Sequence, residues 1–325
     1  MEQVAMEGFL LRDTRHLAGK RRESAAPPPE GEGLALSYHW VGTKPVLTVR
    51  TDKGPVDLPL TGRLDLQVEE GRFCIGHRTS EGLQPCPDRR PADRFIQCAA
   101  CHPLTNRECV FEPRCTDCTL PFCRGAHQVY VAWYGLLPKI GMTRSVREDA
   151  RLVEQGADAY AFLASVPDRF AARRMEDKIS ARAGVPQSRR PKELLTQTAR
   201  SVPWNPVVSA HEAFIERVTG LEGLDPGPLV RLPESPGAWP LPEVPTPVAE
   251  VGRHTGHIIA AKGKWVFYKD GEGPLWALRM SAVEGHEVRF DPGVARPFDK
   301  RGTTVGQPVD EDVTDAAEGP DATTE

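Results

Sequence analysis

Two groups of residues in this 325-residue chain have types and spacings that could do chemistry. The first is its eight cysteines, Cys74, Cys86, Cys98, Cys101, Cys109, Cys115, Cys118 and Cys123, all confined to one window. Their spacing is C-x11-C-x11-C-x2-C-x7-C-x5-C-x2-C-x4-C. A tetrahedral zinc ion takes four thiolate or imidazole ligands, and a Cys-x-x-Cys turn presents two at once. Cys98/Cys101 and Cys115/Cys118 are such pairs, and eight thiols suffice for two closed sites. A closed site of four thiolates keeps no open coordination position, so these zincs are expected to be structural. The spacing leaves the pairing open. One arrangement is a ribbon of Cys98, Cys101, Cys115 and Cys118, with Cys74, Cys86, Cys109 and Cys123 as a second site; the other is cross-braced, with alternating ligand pairs. His77, His102 or His127 could replace a cysteine, and His77 is the best placed, in Cys74-x-x-His77. A redox pair is the competing chemistry, but such pairs usually come singly and open a helix.

The second group is Tyr130, Lys139, Arg147, Arg151 and Glu176, which begins just after the last cysteine. Polynucleotide cleavage needs a group that activates water, a cation that holds the phosphate, and a carboxylate that holds a divalent metal. These residues supply all three. Arg147 and Arg151 stand at i and i+4, on one face of an expected helix. Taken singly each is ordinary: a strand tyrosine, a glycine bend at Gly141, a solvated helical acid paired with Arg173 or Lys178. Their order and joint spacing single them out.

These residues need elements to position them. Residues 1–33 end in a Pro-rich stretch, Ala25 to Gly33, and are expected to be flexible. From 34 to 73 the runs Pro45–Arg50 and Leu64–Val68 alternate apolar and polar residues, as half-buried strands do, with turns at Gly54-Pro55 and Thr61-Gly62. That is a small β module. The cysteine-rich segment, 74–127, is too poor in apolar residues for an ordinary core, so bound zinc would supply much of its folding free energy, about 10 kcal/mol or more per ion.

Residues 128–200 read as β-β-α-β-α. Gln128–Trp133 is the first strand, Tyr134–Pro138 a turn and Lys139–Thr143 the return strand. A helix runs from Ser145, with Glu148 completing a capping box, to Gly156. Ala159–Val166 is a third strand, and Pro167-Asp168 opens a helix that reaches Ala183 before Gly184 and Pro186. Residues 201–250 are Pro-rich and mostly irregular, with a short helix from Ala210 to Val218. Residues 251–291 return to β, with a hairpin through Trp265–Tyr268 and Leu275–Arg279. The tail 301–325 has seven acidic residues after Arg301 and no basic one, and is expected to be disordered. The fold class is α+β.

The residues of the 128–183 segment resemble the GIY-YIG nuclease superfamily. Val129-Tyr130-Val131 stands at its first triplet and Lys139-Ile140-Gly141-Met142-Thr143 at its second. Arg151 best matches its helical arginine and Glu176 its acidic residue. The resemblance implies that Tyr130 helps activate water, that Arg151 holds the scissile phosphate and that Glu176 ligates Mg2+ or Mn2+. Three departures stand beside it: Lys139 replaces the second tyrosine, Arg147 competes with Arg151 for the arginine position, and no clear Asn or His follows Glu176. From about 38 to 291 the chain also resembles an uncharacterised prokaryotic cysteine-rich family, a domain of unknown function, from which no activity carries over.

The net charge of −4 is unevenly spread. Lys139 to Arg200 holds 13 Lys/Arg and 8 Asp/Glu, a local +5, so the remainder sums to −9. A basic island in an acidic chain suits an anionic partner such as nucleic acid. Arg89, Arg90, Arg94, Arg107, Arg114 and Arg124 add cations to the cysteine window, diluted by six acids. No apolar run follows a basic start and no long apolar stretch exists, so neither signal peptide nor membrane span is expected, and the expected location is the cytoplasm. Thiols stay reduced there, which favours zinc over disulfides. Three functions compete: a zinc-stabilised nuclease or other phosphodiesterase, a non-catalytic module binding nucleic acid or protein, and a small-molecule enzyme on the same scaffold.

Overall fold

The computed structural model describes residues 31–79, 82–93, 95–105, 121–145, 148–198, 203–232 and 241–298. The chain is mixed α+β, mostly strand. Four strands open it: β1 (Gly31–Val41), β2 (Lys44–Thr51), β3 (Gly54–Pro59) and β4 (Arg63–Val68). The cysteine segment contributes β5 (His77–Thr79), β6 (Gly82–Gln84), α1 (His102–Thr105) and α2 (Pro121–Arg124). The middle of the chain holds β7 (His127–Tyr134), β8 (Leu137–Arg144), α3 (Glu148–Gln155), β9 (Ala159–Val166), α4 (Arg169–Ala183), α5 (Pro191–Thr198), α6 (Trp204–Val218) and β10 (Val230–Arg231). The last part holds β11 (Thr246–Pro247), β12 (Gly252–Lys262), β13 (Trp265–Lys269), β14 (Trp276–Arg279), α7 (Met280–Val283), β15 (Glu287–Phe290) and β16 (Arg296–Pro297).

The β regions expected at 34–73 and 251–291 are not two units. They interleave in one ten-stranded sheet of order β11-β14-β13-β12-β4-β15-β1-β2-β3-β16. β4 lies between β12 and β15, and β15 also pairs with β1. An alternating pattern shows which face of a strand is buried but not which strand lies beside it. The shared core includes Trp40, Leu47, Leu66, Val68, Val266, Leu278 and Val288. β1 starts at Gly31, inside the stretch expected to be flexible, and Gly31 pairs with Phe290. Residues 1–30 and the acidic tail lie outside the described residues.

The β-β-α-β-α order expected at 128–200 forms a second sheet, β10-β9-β7-β8, antiparallel throughout. β7 is central and both its faces are covered, which is why its sequence is almost wholly apolar. Val129, Val131 and Trp133 face the core built with α4 and α6, against Ala172, Ile179 and Phe214. Tyr130, Ala132 and Tyr134 face the other way, toward Leu152 of α3. Asp168 caps α4 by accepting a hydrogen bond from Ala171 N (2.7 Å), and Gly184 ends it in a left-handed turn (φ 67°). The helix expected at Ala210–Val218 starts earlier, at Trp204, because Pro206 lies in its first turn, where a missing N–H costs nothing.

The two sheets meet at the end of α3. Val153 packs against the cores of both. Gly156 and Gly263, the latter in the β12–β13 turn, touch backbone to backbone; a Cβ on Gly156 would lie 2.9 Å from the Gly263 Cα. Trp40 Nε1 donates to Gly263 O (2.9 Å), and Lys262 Nζ is ion-paired with Asp158. No helix of the described residues is long and apolar enough to cross a membrane.

Candidate functional site

Strand register assembles the first half of the site. Across the β7–β8 hairpin Tyr130 faces Gly141, Ala132 faces Lys139 and Tyr134 faces Leu137. Directly opposed residues share a face, so Tyr130, Tyr134, Lys139 and Gly141 lie on one side of the sheet. Ala132 keeps space for Lys139 between the two tyrosines. Gly141 is there for the Tyr130 ring: a Cβ would sit 2.5 Å from Cζ and the hydroxyl oxygen. β7 also slips register against β9 between Val129 and Tyr130, an irregularity that re-aims a side chain.

Helix α3 closes that face. Leu152 is fully buried, and Arg151 and Gln155, one turn apart, reach the hairpin. Gln155 connects three side chains. Its Oε1 accepts from Lys139 Nζ (2.5 Å) and from the Tyr134 hydroxyl (3.2 Å), and its Nε2 donates to the Tyr130 oxygen (3.1 Å). An ammonium can only donate, so Lys139 fixes which end of the amide faces it. Arg151 also hydrogen-bonds Tyr130 and is weakly paired with Glu154 at 3.8 Å.

Glu176 arrives from α4, which packs against the edge strand β8. Its carboxylate is buried, with Oε2 accepting from Arg173 Nη1 at 2.7 Å. Arg173 also donates to Gln187 (3.0 Å), whose amide donates to Asp177 (2.7 Å). Arg189 donates twice to Pro138 O, and Ile140 N donates to Pro186 O, so the segment after α4 covers the β8 edge.

The charges in this group perturb one another. Burial, and then Arg151, push the Lys139 ammonium down to about 8, against the opposing pull of Glu176. Burial raises Glu176 above the usual carboxylate range, with Arg173 opposing. Burial also raises the Tyr130 hydroxyl, against Arg151 and Gln155, which favour its ionised form. Arg151 and Glu176 thus both act on the Tyr130 hydroxyl and on the Lys139 ammonium. Arg147 lies outside the described residues. The sequence reading missed Gln155 and Tyr134, while the Arg173–Glu176 pair is one of the two it offered. Gln155 could have been found, since it repeats the i, i+4 step from Arg151; Tyr134 needed the fold.

The cysteines form a separate centre. The ligand atoms of Cys74, Cys86, Cys98 and Cys101 lie within 4.8 Å of one another, all buried. Zn–S bonds of about 2.3 Å in a tetrahedron put sulfurs about 3.8 Å apart, so the cluster has the right size for a metal ion. Of the cysteines the sequence left unpaired, Cys98 and Cys101 stand with Cys74 and Cys86. Long loops close at small extra cost, so spacing alone does not choose partners. Cys109, Cys115 and Cys118 lie outside the described residues; Cys123 is buried on α2 and is not in the cluster. His77, His102 and His127 are not in it either. No disulfide links the five described cysteines.

Backbone N–H groups converge on three of the sulfurs. Cys74 accepts from Gly76 and Cys98, Cys86 from Arg90 and Asp88, and Cys98 from Cys101 and Ala100. Burial pushes the Cys98 thiol up, but the N–H groups of Cys101 and Ala100 outweigh it and hold it at about 7. Such donors stabilise thiolates, the form that binds metal. Arg89 bends the Cys86 loop at φ 43°, a left-handed conformation costing about 1–2 kcal/mol in a non-glycine residue. The centre docks on the large sheet through Ile75, which packs with Leu34 and Leu36, and through Phe73 N, which donates to Gly285 O (2.7 Å).

Residues 65–207 match a family model described as "Protein of unknown function (DUF2797)". That span holds all eight cysteines and Tyr130, Lys139, Arg151 and Glu176, and ends before β12 and β13. Neither the curated proteins nor the solved structures yield a match.

Proposed function

We propose that the chain is a zinc-stabilised, GIY-YIG-like phosphodiesterase that cleaves nucleic acid with a divalent metal. What carries the reading is the group of Tyr130, Tyr134 and Lys139 hydrogen-bonded around Gln155, with Arg151 one turn before Gln155 on α3 and Glu176 close enough for its charge to act on Tyr130 and Lys139. Arg151 is the cation for a phosphate, and Lys139 adds a second positive charge only while protonated. Lys139, with its ammonium lowered to about 8, has an accessible amine form that can take the proton of an attacking water. The water oxygen bonds to phosphorus as the P–O bond to the leaving oxygen breaks, and the leaving oxygen takes a proton from solvent water while the Lys139 ammonium returns its own to solvent. Arg151 balances the charge on the non-bridging oxygens, and the buried Tyr130 oxygen, held by Gln155 and Arg151, forms the floor of the site. Glu176 would hold Mg2+ or Mn2+: Oε2 is occupied by Arg173, while Oε1 accepts from no described side chain. The ion would supply positive charge at the phosphate.

The experiment is cleavage of a labelled oligonucleotide with Mg2+ or Mn2+ by the full chain and by Glu176→Gln, which preserves side-chain shape. Loss of metal-dependent cleavage in a folded variant supports the reading, and unchanged cleavage removes Glu176 from the mechanism. The Arg173–Glu176 pair favours a second reading, because a carboxylate already neutralised is a poorer metal ligand. On that reading the same cations bind nucleic acid without turnover, and binding falls steeply with salt while no product forms. Zinc is the ion we assign to Cys74, Cys86, Cys98 and Cys101. Native mass spectrometry should find at least one zinc per chain and one fewer in Cys98→Ser. Metal-free wild type, purified without chelator, would overturn the assignment.

A further inference from the structure

The large sheet also reaches the site. The β12–β13 turn, Gly263-Lys264, is clamped to the end of α3 at several points. A Cβ on Gly263 would lie 2.8 Å from Gln155 C, Gln155 O and Gly156 Cα, so the turn lies against the residue that links Tyr130, Tyr134 and Lys139. Lys262 is ion-paired with Asp158 on one side, and Trp40 Nε1 holds Gly263 O on the other. Met280 N donates to Lys264 O (2.9 Å) and fixes the residue's backbone.

Lys264 is exposed, and its ammonium pairs with no carboxylate among the described residues. Its surroundings are mostly cationic. Partial desolvation by the surrounding atoms lowers its affinity for a proton most, then Arg151 and Arg279 lower it further against Glu284 and Glu154, and Lys264 in turn depresses Lys139. Glu284 is engaged by Tyr38 N (2.8 Å), Glu154 by Arg151 and Glu176 by Arg173. Lys139, Arg151 and Lys264 therefore form a group of like charges that repel one another until an anion lies among them.

We propose that Lys264, carried on the β12–β13 turn, is a phosphate-binding residue of the site formed by Tyr130, Lys139, Arg151 and Glu176. The substrate phosphate is then gripped from both sheets. The inference rests on the phosphodiester reading above and adds to it a residue outside the matched family span. It gives the large sheet a functional role: the sheet holds the turn in place, and the turn delivers the cation.

The test is binding of a fluorescein-labelled DNA oligonucleotide by the full chain, followed by anisotropy over a salt series, without Mg2+ and without chelator. Lys264→Ala should bind several-fold more weakly, and its salt slope should be smaller by about 1, the signature of one lost phosphate contact. Lys264→Arg should keep most of the affinity. Arg151→Ala serves as the reference for the site. If Arg151→Ala weakens binding and Lys264→Ala changes neither affinity nor slope, the inference falls and the phosphodiester reading stands. If wild type does not bind, or neither variant differs from it, the reading itself fails and the inference with it.

Discussion

Replacing Gly141 by alanine puts the packing of the site to a quantitative test. The new Cβ would lie 2.5 Å from Tyr130 Cζ and hydroxyl oxygen and 2.8 Å from Cε2. Carbon atoms in contact prefer about 3.5–4.0 Å, so the ring must retreat by about 1 Å. It has nowhere easy to go: Tyr130 is 1% exposed and its oxygen is held by Gln155 and Arg151. Overpacking of this kind costs about 1–3 kcal/mol, and relief of the unfolded-state entropy of glycine returns at most about 1 kcal/mol. Gly141→Ala should therefore destabilise by about 1–2 kcal/mol. Tyr130→Ala alone should cost about 3–5 kcal/mol through its cavity. In the double variant the clash is gone and the added methyl fills part of the hole. The double variant should then be more stable than the sum of the singles by about 1–3 kcal/mol. Urea unfolding followed by tryptophan fluorescence, to which buried Trp133 contributes, measures all four corners of the cycle. Additivity within about 0.5 kcal/mol would refute the proposed contact.

Two further outcomes follow from the buried charges. Asp158→Ala strands the buried Lys262 ammonium and removes the acceptor of Gly135 N (2.6 Å). It should cost about 1–3 kcal/mol and more than Lys262→Met in urea unfolding; the reverse order would mean the pair does not hold the sheets together. For Lys139, the folded chain disfavours the charged form. The cost is complete below about 8, where folded and unfolded chains are both protonated. It shrinks as pH rises toward the ordinary lysine range, because the folded chain sheds its proton first. Lys139→Met should therefore be stabilised relative to wild type at neutral pH, with the gap closing between about pH 8 and 10.5. A gap that widens over that window contradicts the lowered value.

Much of the middle of the chain was legible because its signals are local. The helix caps Asp168 and Gly184, the apolar run of β9 and the turn between β7 and β8 each act within a few residues, and the structure has those elements where the sequence put them. The shared face of Tyr130 and Lys139 was legible for the same reason, since hairpin register converts sequence separation into a common side of the sheet. Gly141 read as a bend or bulge because nothing local shows that an aromatic ring lies across it.

The sequence by itself determined a metal-suited cysteine set and the order of strands and helices through 128–183. Only the tertiary structure decided which cysteines share a centre, since Cys74 and Cys86 are brought to Cys98 and Cys101 by loop closure that spacing barely constrains. It also decided that β4 lies between β12 and β15, merging two regions that read as separate. That pairing, with the backbone contact of Gly156 and Gly263, carries the Gly263-Lys264 turn to the end of α3, more than a hundred residues earlier in the chain. Local physics writes elements into a sequence, but the partners of a sheet edge or a hairpin tip are set by which surfaces bury each other.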